Sequence, residues 1–141
     1  MKAVDTNVIV RLLVEDDRAQ AKRARALFEH DEAETVFIAK TVLLEAEWVL
    51  RGGYRLSKAK VLDALEALLG LANVTVETPS VVGKALAWAR DGLDFADALH
   101  LASAASTEEG NVGRNVFLTF DRGLASKSAA VKDAIQVKLV S

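Results

Sequence analysis

The sequence predicts an α/β domain with a mainly parallel central sheet and helices on both faces. Two observations carry this. Short β-branched segments alternate with helix-length stretches along the whole chain. Each pair of consecutive strands is also separated by enough residues for a crossover helix, which parallel pairing requires.

The elements follow in order. Residues 2–4 (KAV) read as a short strand, and Asp5-Thr6-Asn7 as the turn after it. In 8–14, Ile9, Leu12 and Leu13 recur at helical spacing. Asp16–His30 is a second helix, with Ala21, Ala24, Leu27 and Phe28 on one face. Residues 35–39 (TVFIA) suit a buried strand. Thr41–Arg51 reads as a helix that stops at Gly52-Gly53. Ser57 caps a helix running to Leu69, with Gly70 behind it. Residues 74–76 (VTV) are a strand, and Pro79 opens a helix reaching about Arg90. Asp94 is the expected N-cap of an alanine-rich helix to Thr107, and 108–115 form a loop. Residues 116–119 (VFLT) are a strand, 121–126 a helical turn, and the last strand falls within 134–140.

Size and composition limit the functions open to this chain. Its 141 residues are enough for one domain, and no linker, repeat or composition shift divides them, so a single domain over 1–141 is expected. Cysteine is absent, which excludes disulfides, thiol catalysis and cysteine-bound zinc or iron–sulfur centres. Asp5, Asn7 and Arg11 interrupt the apolar start too early for a signal peptide, and no 18-residue apolar run follows. A cytoplasmic, non-membrane protein is the expectation. The net charge of −2 is not that of a protein gripping nucleic acid over a broad surface, so any such ligand must be held by local cations, metal or a partner.

The acidic residues hold the chemical interest. In a parallel sheet the ligand crevice lies outside the carboxyl ends of the strands. Asp5 follows the first strand and Asp121 follows VFLT, so both are expected there. Asp94 and Asp97 open the apolar helix FADALHLASAA, and Glu45 lies about one turn into the helix after TVFIA. N-capping alone would account for Asp5 and Asp121, and an acid at position 97 suits a helix N-terminus. Asp97 carries a further demand. No lysine or arginine occurs between Arg90 and Arg114, and a carboxylate on a largely buried helix needs a counter-charge. A divalent cation shared with other carboxylates would meet it. Oxygen ligands without cysteine suit Mg²⁺ or Mn²⁺, which polarise phosphate and activate water.

Glu45 and Glu47 compete for one role. Glu47 has Arg51 four residues on, the favourable orientation for a helical ion pair, whereas Glu45 has no ionic partner at that spacing. His100, one turn beyond Asp97, reads as a packed core histidine, and Trp48 and Trp88 as core or dimer-interface residues. Arg11, Lys40, Arg90 and Arg122 lie near the motifs and could meet phosphate or simply be solvated. Arg18, Lys22, Arg23 and Arg25 form either a basic strip on the second helix or its wet face.

Four segments together resemble PIN-domain proteins: AVDTNVIVRLL (3–13), LLEAEWVL (43–50), LDFADALHLASA (93–104) and LTFDRGL (118–124). The likeness is greatest to the VapC toxins of type II toxin–antitoxin pairs. It implies a three-layer α/β/α sandwich and a metal-dependent endoribonuclease leaving 5′-phosphate and 3′-hydroxyl ends. It also implies a carboxylate quartet, Asp5, Glu45, Asp97 and Asp121, holding Mg²⁺ or Mn²⁺. Asp94 is implied as an auxiliary acid, and Asn7 and Thr119 as polar supports. The partners implied are RNA as substrate, a second copy in a homodimer, and a cognate antitoxin through which operator DNA is bound. The loop at 107–115 is longer than the family turn and leaves the role of Arg114 open. Two other readings use the same element order. A phospho-acceptor signalling domain needs an adjacent acidic pair and a late lysine after a strand, and this chain has DTN and TFD instead. A catalytically idle PIN fold would act by binding alone.

Overall fold

The computed structural model describes residues 1–29, 34–106, 115–131 and 134–140. Its contacts divide the chain into two compact units, Met1–Pro79 and Ser80–Ser141.

In the first unit the order is β1 (Lys2–Ala3), α1 (Thr6–Val14), α2 (Arg18–Glu29), β2 (Val36–Ile38), α3 (Lys40–Trp48), α4 (Lys58–Leu69) and β3 (Val74–Val76). The strands form one parallel sheet in the order β1-β2-β3, with Ala3 opposite Phe37 and Phe37 opposite Thr75. Val36 and Ile38 point into the core with Ile9, Leu43, Leu50, Val61 and Leu65, all 1% exposed or less. Polar bonds tie the elements together. Asn73 is buried, its Nδ2 donates to the Phe28 carbonyl at 2.9 Å, and its own carbonyl accepts from the Val36 N–H at 2.7 Å. One residue thus joins the end of α2 to the sheet, by its side chain at one end and its backbone at the other. The α1–α2 hairpin is closed by Arg11, which donates to both oxygens of Asp16 at 2.8 and 3.0 Å and to Gln20 at 2.6 Å. Tyr54, beyond α3, donates its hydroxyl to Asp16 at 2.8 Å and accepts from Arg11 at 3.2 Å. The tyrosine hydroxyl and the guanidinium hold the Asp16 carboxyl below its ordinary range.

The second unit runs α5 (Pro79–Arg90), α6 (Phe95–Ala105), β4 (Val116–Thr119), α7 (Arg122–Ala129) and β5 (Gln136–Leu139). β4 and β5 pair in parallel from Val116 opposite Gln136 to Thr119 opposite Leu139. α7 is their crossover helix and packs on both strands. Trp88 is buried on α5 with the Lys84 ammonium 5.7 Å from its ring centre, whereas Trp48 on α3 is 68% exposed. Trp48 is therefore not a core residue of this chain.

The chain has an α/β fold with parallel pairing in every strand pair of both sheets, as the element order predicts. The strands β3 and the helix from Pro79 fall where the sequence sets them. Other boundaries move for physical reasons. α1 begins at Thr6, so Thr6 and Asn7 are its first turn, because Asp5 caps it directly. The helix predicted to stop at Gly52-Gly53 continues through both as a π-helical turn, Val49–Gly53, closed by a Tyr54 N–H bond to the Val49 carbonyl at 3.2 Å. Buried Leu50 anchors that turn while the two glycines face water. α7 extends three residues beyond the predicted turn, with Leu124 and Ser128 buried one turn apart. Leu27, assigned to the buried face of α2, is 38% exposed. Of the predicted loop 108–115, all but Asn115 lies outside the described residues, as does Arg114. Among the described residues, no helix is long and apolar enough to cross a membrane.

Replacing Asn73 with alanine removes the amide that meets the buried Phe28 carbonyl. We expect a loss of about 1–3 kcal/mol in urea unfolding. An unchanged midpoint would show that water replaces the bond at no cost.

Candidate active site

The candidate carboxylates divide between the two units: Asp5 and Glu45 in the first, Asp94, Asp97 and Asp121 in the second.

In the first unit the sheet sets both positions. β1 and β2 are parallel neighbours, so each hands the chain to a helix at the same edge. The Val4 N–H donates to the Phe37 carbonyl at 3.3 Å, which fixes the backbone just before Asp5. Asp5 is extended, exposed, and accepts the Val8 N–H on Oδ1 at 3.3 Å. The N-cap role expected of it is therefore real, and it leaves the carboxylate with further acceptor capacity. Asn7 is exposed on the first turn of α1. α3 packs on α1 and carries Glu45, also exposed, about one and a half turns from its start. Glu47 is 2% exposed and is committed to Arg51, which donates to it at 2.7 Å. The neighbour that competes with Glu45 in the sequence is thus occupied in an ion pair.

In the second unit, β4 ends at Thr119 and Asp121 caps α7, with Oδ1 accepting the Leu124 N–H at 3.1 Å. The Asp121 N–H donates to the Thr119 hydroxyl at 3.0 Å, so Thr119 supports the strand-to-helix turn. Gly123 leaves the cap uncrowded, since a Cβ there would sit 3.1 Å from Asp121 Oδ1, a tight contact that the carboxylate would have to yield to. Asp97 lies in the first turn of α6, part-buried between Phe95 and Ala98, which are both buried. Asp94 occupies the cap position without a side-chain capping bond.

Asp97 is raised above the ordinary carboxyl value. Burial is the main cause, and the charges of Asp94 and Asp121 add to it. Asp94 and Asp121 are therefore close enough to oppose the ionisation of Asp97. Two cations act the other way, His100 and Lys127. This corrects two expectations. His100 is exposed rather than packed in the core. Asp97 also has a positive neighbour, Lys127, brought in by α7 from thirty residues away, where no local spacing reveals it. Lys127 reduces the electrostatic cost without reversing it.

These residues suit a hard divalent ion by chemistry: the donors are all oxygens, and ionisation of Asp97 is opposed in the way a bound cation relieves. Among the described residues, no three or more His, Cys, Asp or Glu side chains are grouped so as to hold a metal ion. The basic residues near the motifs are largely spent on structure. Arg11 is held by Asp16, and Lys40 faces Glu77 at 3.8 Å, while Arg90 and Arg122 are exposed.

No curated protein matches the sequence. A family model described as PIN domain matches residues 2–130, which takes in every candidate residue above.

A raised Asp97 binds its proton more tightly in the folded chain than in the unfolded one. The folded state carries no penalty below the ordinary value of 3.8, and loses stability as pH rises above it. In chelator-treated buffer, Asp97→Asn should therefore gain stability over the parent between about pH 4 and pH 7. Equal differences at both ends, read by urea unfolding, would refute the electrostatic cause.

Proposed function

The chain belongs to the PIN-domain family, and from that premise we propose that it is a metal-dependent endoribonuclease and the toxin of a toxin–antitoxin pair. The family consists generally of nucleases that work with divalent metal. The observation that carries the reading for this chain is the opposed ionisation of Asp97, in the first turn of the helix that Asp94 opens, beside Asp121 at the start of α7.

In this reading Asp5, Asp97 and Asp121 hold Mg²⁺ or Mn²⁺, and Glu45 orients the attacking water. The ion supplies charge neutralisation at the phosphate and lowers the pKa of water. Asp94 adds negative charge around Asp97, Thr119 holds the turn that aims Asp121, and Asn7 is a polar contact beside Asp5. Water attacks phosphorus in line, the bond from phosphorus to O3′ breaks, and that oxygen takes up a proton. The products carry a 5′-phosphate and a 3′-hydroxyl.

The single family match across both units supports one domain over residues 1–141. We further propose a cytoplasmic homodimer inhibited by a cognate antitoxin, with operator DNA bound only through that partner.

Incubation with RNA and Mn²⁺ should produce new ends bearing 5′-phosphate, and chelator should stop it. Asp5→Asn and Asp97→Asn should each reduce the rate by more than the ~10–100-fold typical of residues that only support a metal ligand. Full activity in both variants would remove these residues from the site. Mn²⁺ should also raise the thermal midpoint of the parent and not of Asp97→Asn. A catalytically idle fold would give no cleavage and no metal-linked shift.

A further inference from the structure

A groove runs between α1 and α2 from the side chain of Asn7, two residues beyond Asp5. Asn7, Val8, Arg11, Arg23, Ala24 and Leu27 line it, and it holds about 320 Å³, within the range of small-ligand sites. Its lining is mainly apolar and includes exposed Leu27.

The charges around it are unlike those of the chain as a whole. The net charge is −2, yet α2 carries Arg18, Lys22, Arg23 and Arg25 against the single acid Glu29. Arg25 is paired with Glu15, and Arg11 is bound to Asp16, Gln20 and Tyr54. Arg23 differs: it is exposed, lines the groove, and makes no ion pair or hydrogen bond among the described residues. Arg18 and Lys22, one turn apart, add exposed positive charge on the same helix. The groove therefore combines a mainly apolar lining, a fixed guanidinium in Arg11 and an uncommitted one in Arg23.

We propose that this groove is a substrate subsite for one nucleotide of single-stranded RNA next to the scissile phosphate. The base lies against Val8, Ala24 and Leu27, and its phosphate meets Arg23. Single-stranded RNA is commonly held by bases splayed onto aromatic side chains or arginine planes, with cations along its backbone; in this groove the base-facing surface is aliphatic. The cationic excess of α2 favours this polyanion over a protein segment. The proposal rests on the ribonuclease reading above and adds where the substrate is gripped. It also answers the charge problem of an acidic protein that acts on RNA: the cations are concentrated on one helix.

The test uses full-length protein and a labelled single-stranded RNA. Affinity is measured in the Asp97→Asn background over a series of salt concentrations at fixed Mg²⁺. Arg23→Gln should lower the slope of log affinity against log salt by about 0.7, the value for one lost phosphate contact on a single strand. Leu27→Ala should weaken binding without changing that slope. Lys60→Gln, an exposed cation on α4, should change neither. In otherwise unaltered protein, Arg23→Gln should raise KM and leave kcat intact, as for loss of uniform binding. If the parent cleaves RNA but Arg23→Gln retains both slope and KM, the subsite is refuted and the groove is left to a protein partner. If the parent neither binds nor cleaves RNA, the ribonuclease reading itself fails, and the subsite with it.

Discussion

A parallel strand must pass the chain to a helix at its carboxyl end, and this constraint governs the placement of function here. Each handover leaves the first N–H groups of a helix without partners. In this chain aspartates meet them twice, Asp5 at α1 and Asp121 at α7. The cap consumes one carboxylate oxygen and fixes the direction of the other. A requirement of backbone hydrogen bonding thus delivers carboxylates to the edge where α/β proteins keep their ligands. Structural and chemical roles share the same atoms, and neither excludes the other.

Electrostatics decides how costly that arrangement is. Asp97 is part-buried and faces two acids, so its charge is disfavoured even with Lys127 nearby. Elsewhere the chain neutralises acids at close range: Asp16 by Arg11 and Tyr54, and Glu47 by Arg51. The contrast is informative. Acids that hold the fold together have hydrogen-bonded cations, whereas Asp97 is part-buried and the pull of His100 and Lys127 does not offset its burial and the charges of Asp94 and Asp121. A carboxylate in that position gains most from a divalent ion. The basic side chains follow the same division, with Arg11 and Arg25 spent on the α1–α2 hairpin and Arg23 left to face the groove.

The parts of the structure legible in the sequence were those fixed by local rules. Short runs containing β-branched residues, VFI and VTV among them, marked the strands, Ser57 capped α4 as expected, and the i,i+4 spacing of Glu47 and Arg51 foretold their ion pair. Local rules fell short where packing set the detail. The two glycines do close the helical stretch, but as the last residues of a π turn that buried Leu50 and the Val49–Tyr54 bond set, which spacing alone did not show. His100 was assigned to the core because its neighbours are apolar, but its own position on α6 faces water.

The α/β class, the caps at Asp5 and Asp121 and the acidic motifs were legible before any packing was known. Each is a matter of residue type and spacing over a few positions. The environment of each charge was not legible, because it arises from packing. Asp97 was expected to lack any cation, yet α7 supplies Lys127, and Asp94 and Asp121 still outweigh it. The reason is physical: a carboxyl group responds to burial and to every charge within several ångströms, and packing rather than chain order sets those distances.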